Sequence, residues 1–376
     1  MRNIIRRTLG ICLTAGLALT LAACGPEESS DKGQAAAPKP AATAPLKEVT
    51  VAVSIYAGWM PHYYANEAGI YKKWGEKYGY DVKVKYMDYV ASIEAYMAGE
   101  ADAVVMTNME ALDMPAAAGV DTTVVVMGDY SNGNDAVLVR NGLTCEQVAG
   151  KKVYLVEKTV SHYLLGRMLE SCGLKESDVT LVNVSDSDIA PSFLANTSQE
   201  VVVTWNPMVM EIQKAPGITN IFDSSKIPGE IQDVLAVNSK VLSANPDFAR
   251  ALTGAWYEVM DVMNTPGAEA KAAKTQMAQL AGTNLTEYEG QLATTAMFYT
   301  AGDAMTYLSS PELKAKMDSV RQFCFTHDLL GENAKSADVV GIQFPDGSVL
   351  GDSANIKLRY DATFTQEYLD GKISLK

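Results

Sequence analysis

At 376 residues the chain exceeds what one hydrophobic core usually holds, so two lobes are expected. Its 31 basic and 45 acidic side chains leave a formal charge of −14. That balance disfavours nucleic acid, whose affinity rests on cationic contacts to phosphate, and it offers no basic patch for anionic lipid. The first element in chain order reads as an export signal. Arg2, Arg6 and Arg7 precede a short apolar stretch, Leu9 to Leu21, which ends in the small-residue run Leu21-Ala22-Ala23-Cys24. This stretch is shorter than the roughly 20 apolar residues of a spanning helix. Removing residues 1–23 takes away three Arg and no acid, so the remainder is more acidic still.

The tetrad ending at Cys24 resembles the bacterial lipobox, which implies that Cys24 is lipidated and becomes the new N-terminus. A plain secretory signal followed by an ordinary cysteine is the other reading. Residues 24–46 are rich in Gly, Pro, Ala, Ser, Lys and Glu without apolar periodicity, as expected of a flexible tether. Cys12 leaves with the signal. Cys145, Cys172 and Cys324 are odd in number and widely spaced, so buried thiols are expected, with one disulfide as the alternative.

From Val49 onward short β-branched runs alternate with helical segments: 49–53, a helix 63–74, 82–86, a helix 92–98, 103–106, a helix 110–118, and 122–127. A second set follows, with strands at 136–139, 152–156, 179–183 and 201–204 and helices at 161–171 and 189–195. Such alternation implies crossovers and mostly parallel sheets. After Val234-Leu235-Ala236-Val237 the pattern is helical only: 248–263, 268–280, 286–298 and 311–327. Phe248, Leu252, Trp256 and Met260 recur four apart and read as one buried face. The expected class is α/β, with one lobe from 47–135 plus 236–376, a second from 136–235, and a helical C-terminal region.

Ligands of open parallel sheets bind outside the carboxyl ends of the strands. The loops at those ends hold Trp59, Asp88, Glu110, Asp135, Glu157, Trp205 and Asp223, and no Arg. Thr107, Asn108 and Ser161 lie at helix starts, where they could bind ligand or simply cap. Ionised carboxylates only accept hydrogen bonds and a planar guanidinium only donates them, so the pair satisfies both. Indole faces add cation–π attraction. The acids could equally be solvated loop charges, the indoles could equally pack the lobes, and Asp223 beside two serines reads as a cap. The ligand-binding expectation is Trp59, Asp88, Asn108, Glu110, Asp135, Glu157, Ser161 and Trp205, around a small planar cation. His62, His162 and His327 show no ligand spacing and the cysteines none either, so neither a metal site nor a catalytic triad is expected, and no cofactor.

Val51-Ala52-Val53 with Gly58-Trp59-Met60-Pro61, Ala98-Gly99-Glu100-Ala101-Asp102-Ala103 and Ala117-Ala118-Gly119-Val120 together resemble the nitrate, sulfonate and taurine class of ABC substrate-binding proteins. The likeness spans roughly residues 48–330. It implies a periplasmic-binding-protein type II fold, with ligand held between two α/β lobes and delivered to a membrane permease and its ATPase. A narrower likeness runs through Met106-Thr107-Asn108-Met109-Glu110, Gly128-Asp129-Tyr130-Ser131-Asn132-Gly133-Asn134-Asp135, Val160-Ser161-His162-Tyr163, Thr204-Trp205-Asn206-Pro207 and Phe222-Asp223-Ser224-Ser225. These strings are similar to the binding proteins associated with urea carboxylase, which implies guanidinium as the ligand. Urea or another small amide, a sulfonate or nitrate anion, and an enzyme on the same fold such as a pyrimidine synthase are the alternatives. A monomeric, non-enzymatic receptor, lipid-anchored outside a bacterial cytoplasmic membrane, is the resulting expectation.

Overall fold

The computed structural model describes residues 45–375. The export signal, Cys24 and all but the end of the tether lie outside them. The chain enters with β1 (Lys47–Val53), β2 (Tyr80–Tyr86), β3 (Ala103–Thr107) and β4 (Thr122–Ser131), crosses to β5 (Asp135–Arg140), β6 (Lys152–Leu155), β7 (Thr180–Asn183), β8 (Val201–Trp205) and β9 (Ile218–Asp223), and returns through β10 (Gln232–Asn238). Late strands β11 (Thr295–Met297), β12 (Gly341–Gln343), β13 (Val349–Leu350) and β14 (Ile356–Tyr360) follow.

Two sheets result. One is nine-stranded in the order β13-β12-β14-β4-β10-β3-β1-β2, with β11 added to β4; the other is five-stranded in the order β7-β6-β8-β5-β9. The sheets exchange chain at two places, β4 to β5 and β9 to β10. In the first sheet β1 runs parallel to β2 and β3, whereas β10 runs antiparallel to both β3 and β4. Val234, Leu235, Ala236 and Val237 of β10 are all buried, as a central strand covered on both faces demands.

Long helices close the first sheet. Phe248, Leu252, Trp256 and Met260 of helix Pro246–Asn264 are all buried, so the four-residue stripe is core. Gly254 on that helix lets it approach Trp74, whose ring lies 2.3 Å from where a Cβ would stand. Among the described residues no helix is long and apolar enough to cross a membrane.

Several expectations need correction. The helix expected over 63–74 is two, Met60–Glu67 and Ile70–Tyr78, parted by Gly69 at φ 72°. The stretch expected as helix 110–118 begins as Asn108–Ala111 and widens into a π-helical turn, Leu112–Ala116, that contains Pro115. A proline lacks the N–H that an α-helical ladder would need there. The C-terminal region is not purely helical, because β11 to β14 extend the first sheet. Cys145 and Cys172, expected as thiols, form a disulfide across a Cα–Cα distance of 6.2 Å, while Cys324 is free and buried. The pairing joins the turn before a short 3-10 helix to the C-cap of helix Val160–Ser171.

Candidate functional site

The crossing strands carry the unusual chemistry. On β4 and β10 the register sets Asp129 directly opposite Asp233, a pairing of like charges that ordinarily destabilises a sheet. Asp135 opens β5, one short turn after β4 ends, and faces Trp205 of β8 in register. Relative exposures of 0 % for Asp129, 2 % for Asp233 and 3 % for Asp135 put all three out of reach of water.

Their partners are neutral. Tyr56 donates its hydroxyl to Asp129 Oδ1 at 3.2 Å, and Ser131 donates to Asp135 Oδ2 at 2.5 Å. Ser131 Oγ is in turn 2.7 Å from Ser224 Oγ. Asp129 Oδ2, Asp233 Oδ2 and Trp59 Nε1 are buried without any partner. None of the ion pairs among the described residues reaches Asp129, Asp135, Asp233 or Glu110. The buried Glu230 shows the contrast: Arg167 Nε sits 2.9 Å from its carboxylate, Tyr163 also donates to it, and Lys316 lies at 3.9 Å.

Desolvation therefore dominates the protonation of the cluster. Burial lifts Asp135 to about 7, against the hydrogen bond from Ser131, and the charge of Glu110 adds to the rise. Burial and then the neighbouring Asp129 hold Asp233 well above the usual carboxylate range. Asp129 is also raised, by burial, and is helped back by hydrogen bonds from Asp233 and Tyr56. Burial and their mutual repulsion thus disfavour two charges on the Asp129–Asp233 pair.

Gly58 is part of this geometry. A Cβ there would lie 2.3 Å from Asp129 Oδ2 and 2.7 Å from Tyr56 Cε1, so only glycine lets the loop pass over the carboxylate. Gly58→Ala is expected to displace the Asp129 side chain and to cost about 1–3 kcal/mol as overpacking, read as a lower urea midpoint with an unchanged slope.

Aromatic rings line the same region. Trp59 packs against Tyr56 at 5.1 Å and Tyr89 at 5.3 Å, and Tyr89 meets the edge of Trp205 at 5.7 Å. Trp205 spends its N–H on the Ile55 carbonyl at 3.1 Å. Glu110, fully buried, accepts from Thr107 and, at 2.8 Å, from the Val160 N–H at the start of helix Val160–Ser171. Burial raises its pKa and those donors oppose the rise. The Tyr89 N–H reaches Asp186 Oδ2 at 3.0 Å. The bonds from Trp205 to Ile55, from Val160 to Glu110 and from Tyr89 to Asp186 join elements of the two sheets.

Of the residues expected at the site, Trp59, Glu110, Asp135 and Trp205 come together here. Asn108 is buried, but its amide is occupied by backbone: Nδ2 donates to Glu230 O at 3.0 Å and Oδ1 accepts the Gln232 N–H at 2.9 Å. That holds the start of β10, and with it Asp233. Ser161 is buried with an unpartnered Oγ, and Thr159 rather than Ser161 caps the helix. Asp88 is exposed, beside Ser187 at 3.4 Å, on the rim of a cavity of about 460 Å³ that Ile55, Asp186 and Pro207 also line. Glu157 is half-buried at the turn after β6, where its N–H donates to Asn183 Oδ1 at 2.9 Å. Asp223 caps the 3-10 turn through Ser225 N–H. Cys24 lies outside the described residues.

Sequence reasoning missed Asp129, Asp233 and Tyr56. An acid at one end of an otherwise apolar run, after it in Val124-Val125-Val126-Met127-Gly128-Asp129 and before it in Asp233-Val234-Leu235, was the available signal. It also found no histidine pair, yet the rings of His162 and His327 stand 5.3 Å apart, because helix Pro311–Thr326 folds back against helix Val160–Ser171.

A family profile described as NMT1/THI5 like matches residues 60–268. No curated protein matches the sequence significantly. Among solved structures, the alkanesulfonate-binding protein SsuA from Xanthomonas axonopodis pv. citri, bound to MOPS, superposes with a TM-score of 0.64 at 14% identity, covering 77% of this chain and 96% of that one. The periplasmic nitrate-binding protein NrtA from Synechocystis PCC 6803 gives 0.53 at 14% identity, over 88% and 99%. The desulfurization enzyme DSZB gives 0.54 at 14% identity, over 75% and 93%. Likeness at this level establishes the fold, which is that of the periplasmic binding proteins.

Proposed function

The chain belongs to the NMT1/THI5-like family, and from that premise we propose that it is the substrate-binding protein of an ABC importer whose ligand is a small planar cation, guanidinium first. The observation that carries this reading is the trio Asp129, Asp135 and Asp233, sealed from water with no cationic partner among the described ion pairs. Burying ionised carboxylates is costly without a counterion. A donor-only planar cation supplies the charge and the N–H groups together. Guanidinium has four heavy atoms, and about 1.5 kcal/mol per atom gives roughly 6 kcal/mol, a dissociation constant of tens of micromolar.

SsuA with MOPS and NrtA are named for anions. An anion in this cleft would meet carboxylates and no opposing charge, so the shared fold is used here with inverted polarity. Urea is the second reading, favoured by one observation: burial raises the pKa of Asp135 and of Asp233, and a protonated carboxyl donates to a neutral amide. In the proposal the lobes are those of the two sheets, export and lipid on Cys24 hold the receptor at a bacterial membrane facing outward, and a permease with its ATPase receives the ligand. Catalysis has no place in it. Entry requires the cross-lobe bonds of Glu110, Trp205 and Tyr89 to open, since the acids are inaccessible behind them.

A thermal-shift series at pH 8 with guanidinium, methylguanidine, urea, taurine and nitrate, all at low millimolar concentration, tests the reading. Ligand at a hundred times its dissociation constant stabilises by about 2.7 kcal/mol. Guanidinium should raise the melting temperature while taurine and nitrate leave it alone. A shift with an anion and none with guanidinium would refute the charge argument.

A further inference from the structure

A second polar cluster lies away from the acids. His162, in the first turn of helix Val160–Ser171, and Glu176, opening the 3-10 turn beyond it, belong with the second sheet. His327 ends helix Pro311–Thr326, which packs beside the short helix Asn108–Ala111 after β3 of the first sheet. His162 Nε2 lies 2.9 Å from Glu176 Oε2, and His327 Nε2 lies 2.8 Å from the same oxygen. One donor atom from each of the three sits within 4.8 Å of the others.

The rings are held for this convergence. His327 Nδ1 is 2.8 Å from the Phe323 carbonyl, the outer contact that fixes a metal-binding imidazole with its Nε2 lone pair directed at the metal. Phe323 stacks on His327 at 3.8 Å and meets His162 edge-on at 5.7 Å. Gly166 makes room for it, since a Cβ there would lie 2.9 Å from Phe323 Cε2. His162 Nδ1 receives only a long contact from the Lys158 N–H, 3.4 Å, which the metal-bound tautomer, with its proton on Nδ1, gives up.

We propose that His162, Glu176 and His327 form a binding site for a divalent transition metal of the zinc class, with ligands drawn from both sides of the cleft. Two imidazole nitrogens and one carboxylate oxygen, with a water completing a tetrahedron, match the donor set and bond lengths of about 2.0–2.2 Å that zinc takes. The nitrogens and oxygen now in direct contact need to part only to roughly 3.3 Å to admit it. Imidazole with carboxylate also suits nickel and copper, and excludes magnesium, which demands oxygen ligands. Bridging the two sides, the metal favours the shut cleft and slows its opening. The site itself does not depend on which solute the cleft binds.

The test is calorimetry of ZnCl2 with the mature protein, free of any affinity tag and stripped by EDTA, with MgCl2 as control. One equivalent of zinc should bind with a micromolar or tighter dissociation constant, magnesium should not, and His162→Gln and His327→Gln should each weaken zinc at least thirtyfold. Zinc binding that is absent, or unchanged in both variants, overturns the site. Should a variant fail to fold, as judged by its melt in EDTA, the visible spectrum of the cobalt-loaded parent decides. Intense tetrahedral bands support the site, and the weak bands of octahedral aquo-cobalt contradict it.

Discussion

Asp233→Asn is expected to weaken guanidinium binding about a hundredfold or more while making the empty protein more stable. The two signs come from one cause. Asp233 stands opposite Asp129, with burial and that neighbour disfavouring its charge. An asparagine keeps N–H groups that can donate to Asp129 and removes the cost of holding a second carboxylate buried beside the first, so the urea midpoint should rise. The same change removes one of the charges that a bound cation would face. Charge-assisted hydrogen bonds are worth about 1.5–3 kcal/mol and truncated buried charge pairs about 2–5 kcal/mol. Calorimetry and urea unfolding at pH 8, on the same preparation, check both signs. A variant that binds like its parent would remove Asp233 from the site, and one that loses binding and stability together would make its role structural.

Guanidinium affinity is expected to fall as the pH drops through 7, and the stability of the empty protein to move the opposite way. Asp135 has a folded pKa of about 7 and an unfolded one near 3.9. Between those values the folded state holds a proton that the unfolded state has lost. Stability from this group is therefore fully present below about pH 4, declines as the pH rises, and is gone above about pH 7. The three-unit gap corresponds to about 4 kcal/mol, and the Asp129–Asp233 pair acts in the same direction. A cation needs the ionised form, so each bound ion releases protons and the dissociation constant rises about tenfold per pH unit below 7 for each proton displaced. Urea would show the reverse, binding better in acid. Calorimetry at pH 5.5 and 8, with buffers of different ionisation enthalpy to count protons, separates the two ligands.

The strand and helix alternation was legible because buried strands such as Val49–Val53 and Val201-Val202-Val203 are runs rich in β-branched residues, and because the stripe on helix Pro246–Asn264 has a helical period. Strands β9 and β12 to β14 were not: β9 carries the polar Thr219 and Asn220, and β12 and β13 are short and parted by an Asp-Gly turn, although Ile356-Lys357-Leu358-Arg359-Tyr360 does alternate. Trp59, Glu110, Asp135 and Trp205 could be named from their place after strands. Asp129 and Asp233 could not, because their meeting depends on an antiparallel register between strands on either side of the whole second sheet. A loop-centred search passes over acids that lie inside strands. Asp88 and Glu157 satisfied that search equally well, and the fold leaves one exposed and the other half-buried. His162 and His327 illustrate the same limit, since their approach is made by two helices packing and not by spacing.

A crystal structure of the protein grown at pH 8 with low-millimolar guanidinium tests the central claim most directly. It should show a planar group within hydrogen-bond distance of Asp129, Asp135 and Asp233, with the lobes shut over it. An anion in that place, or a guanidinium found only elsewhere on the protein while the acids remain bonded to one another, would contradict it.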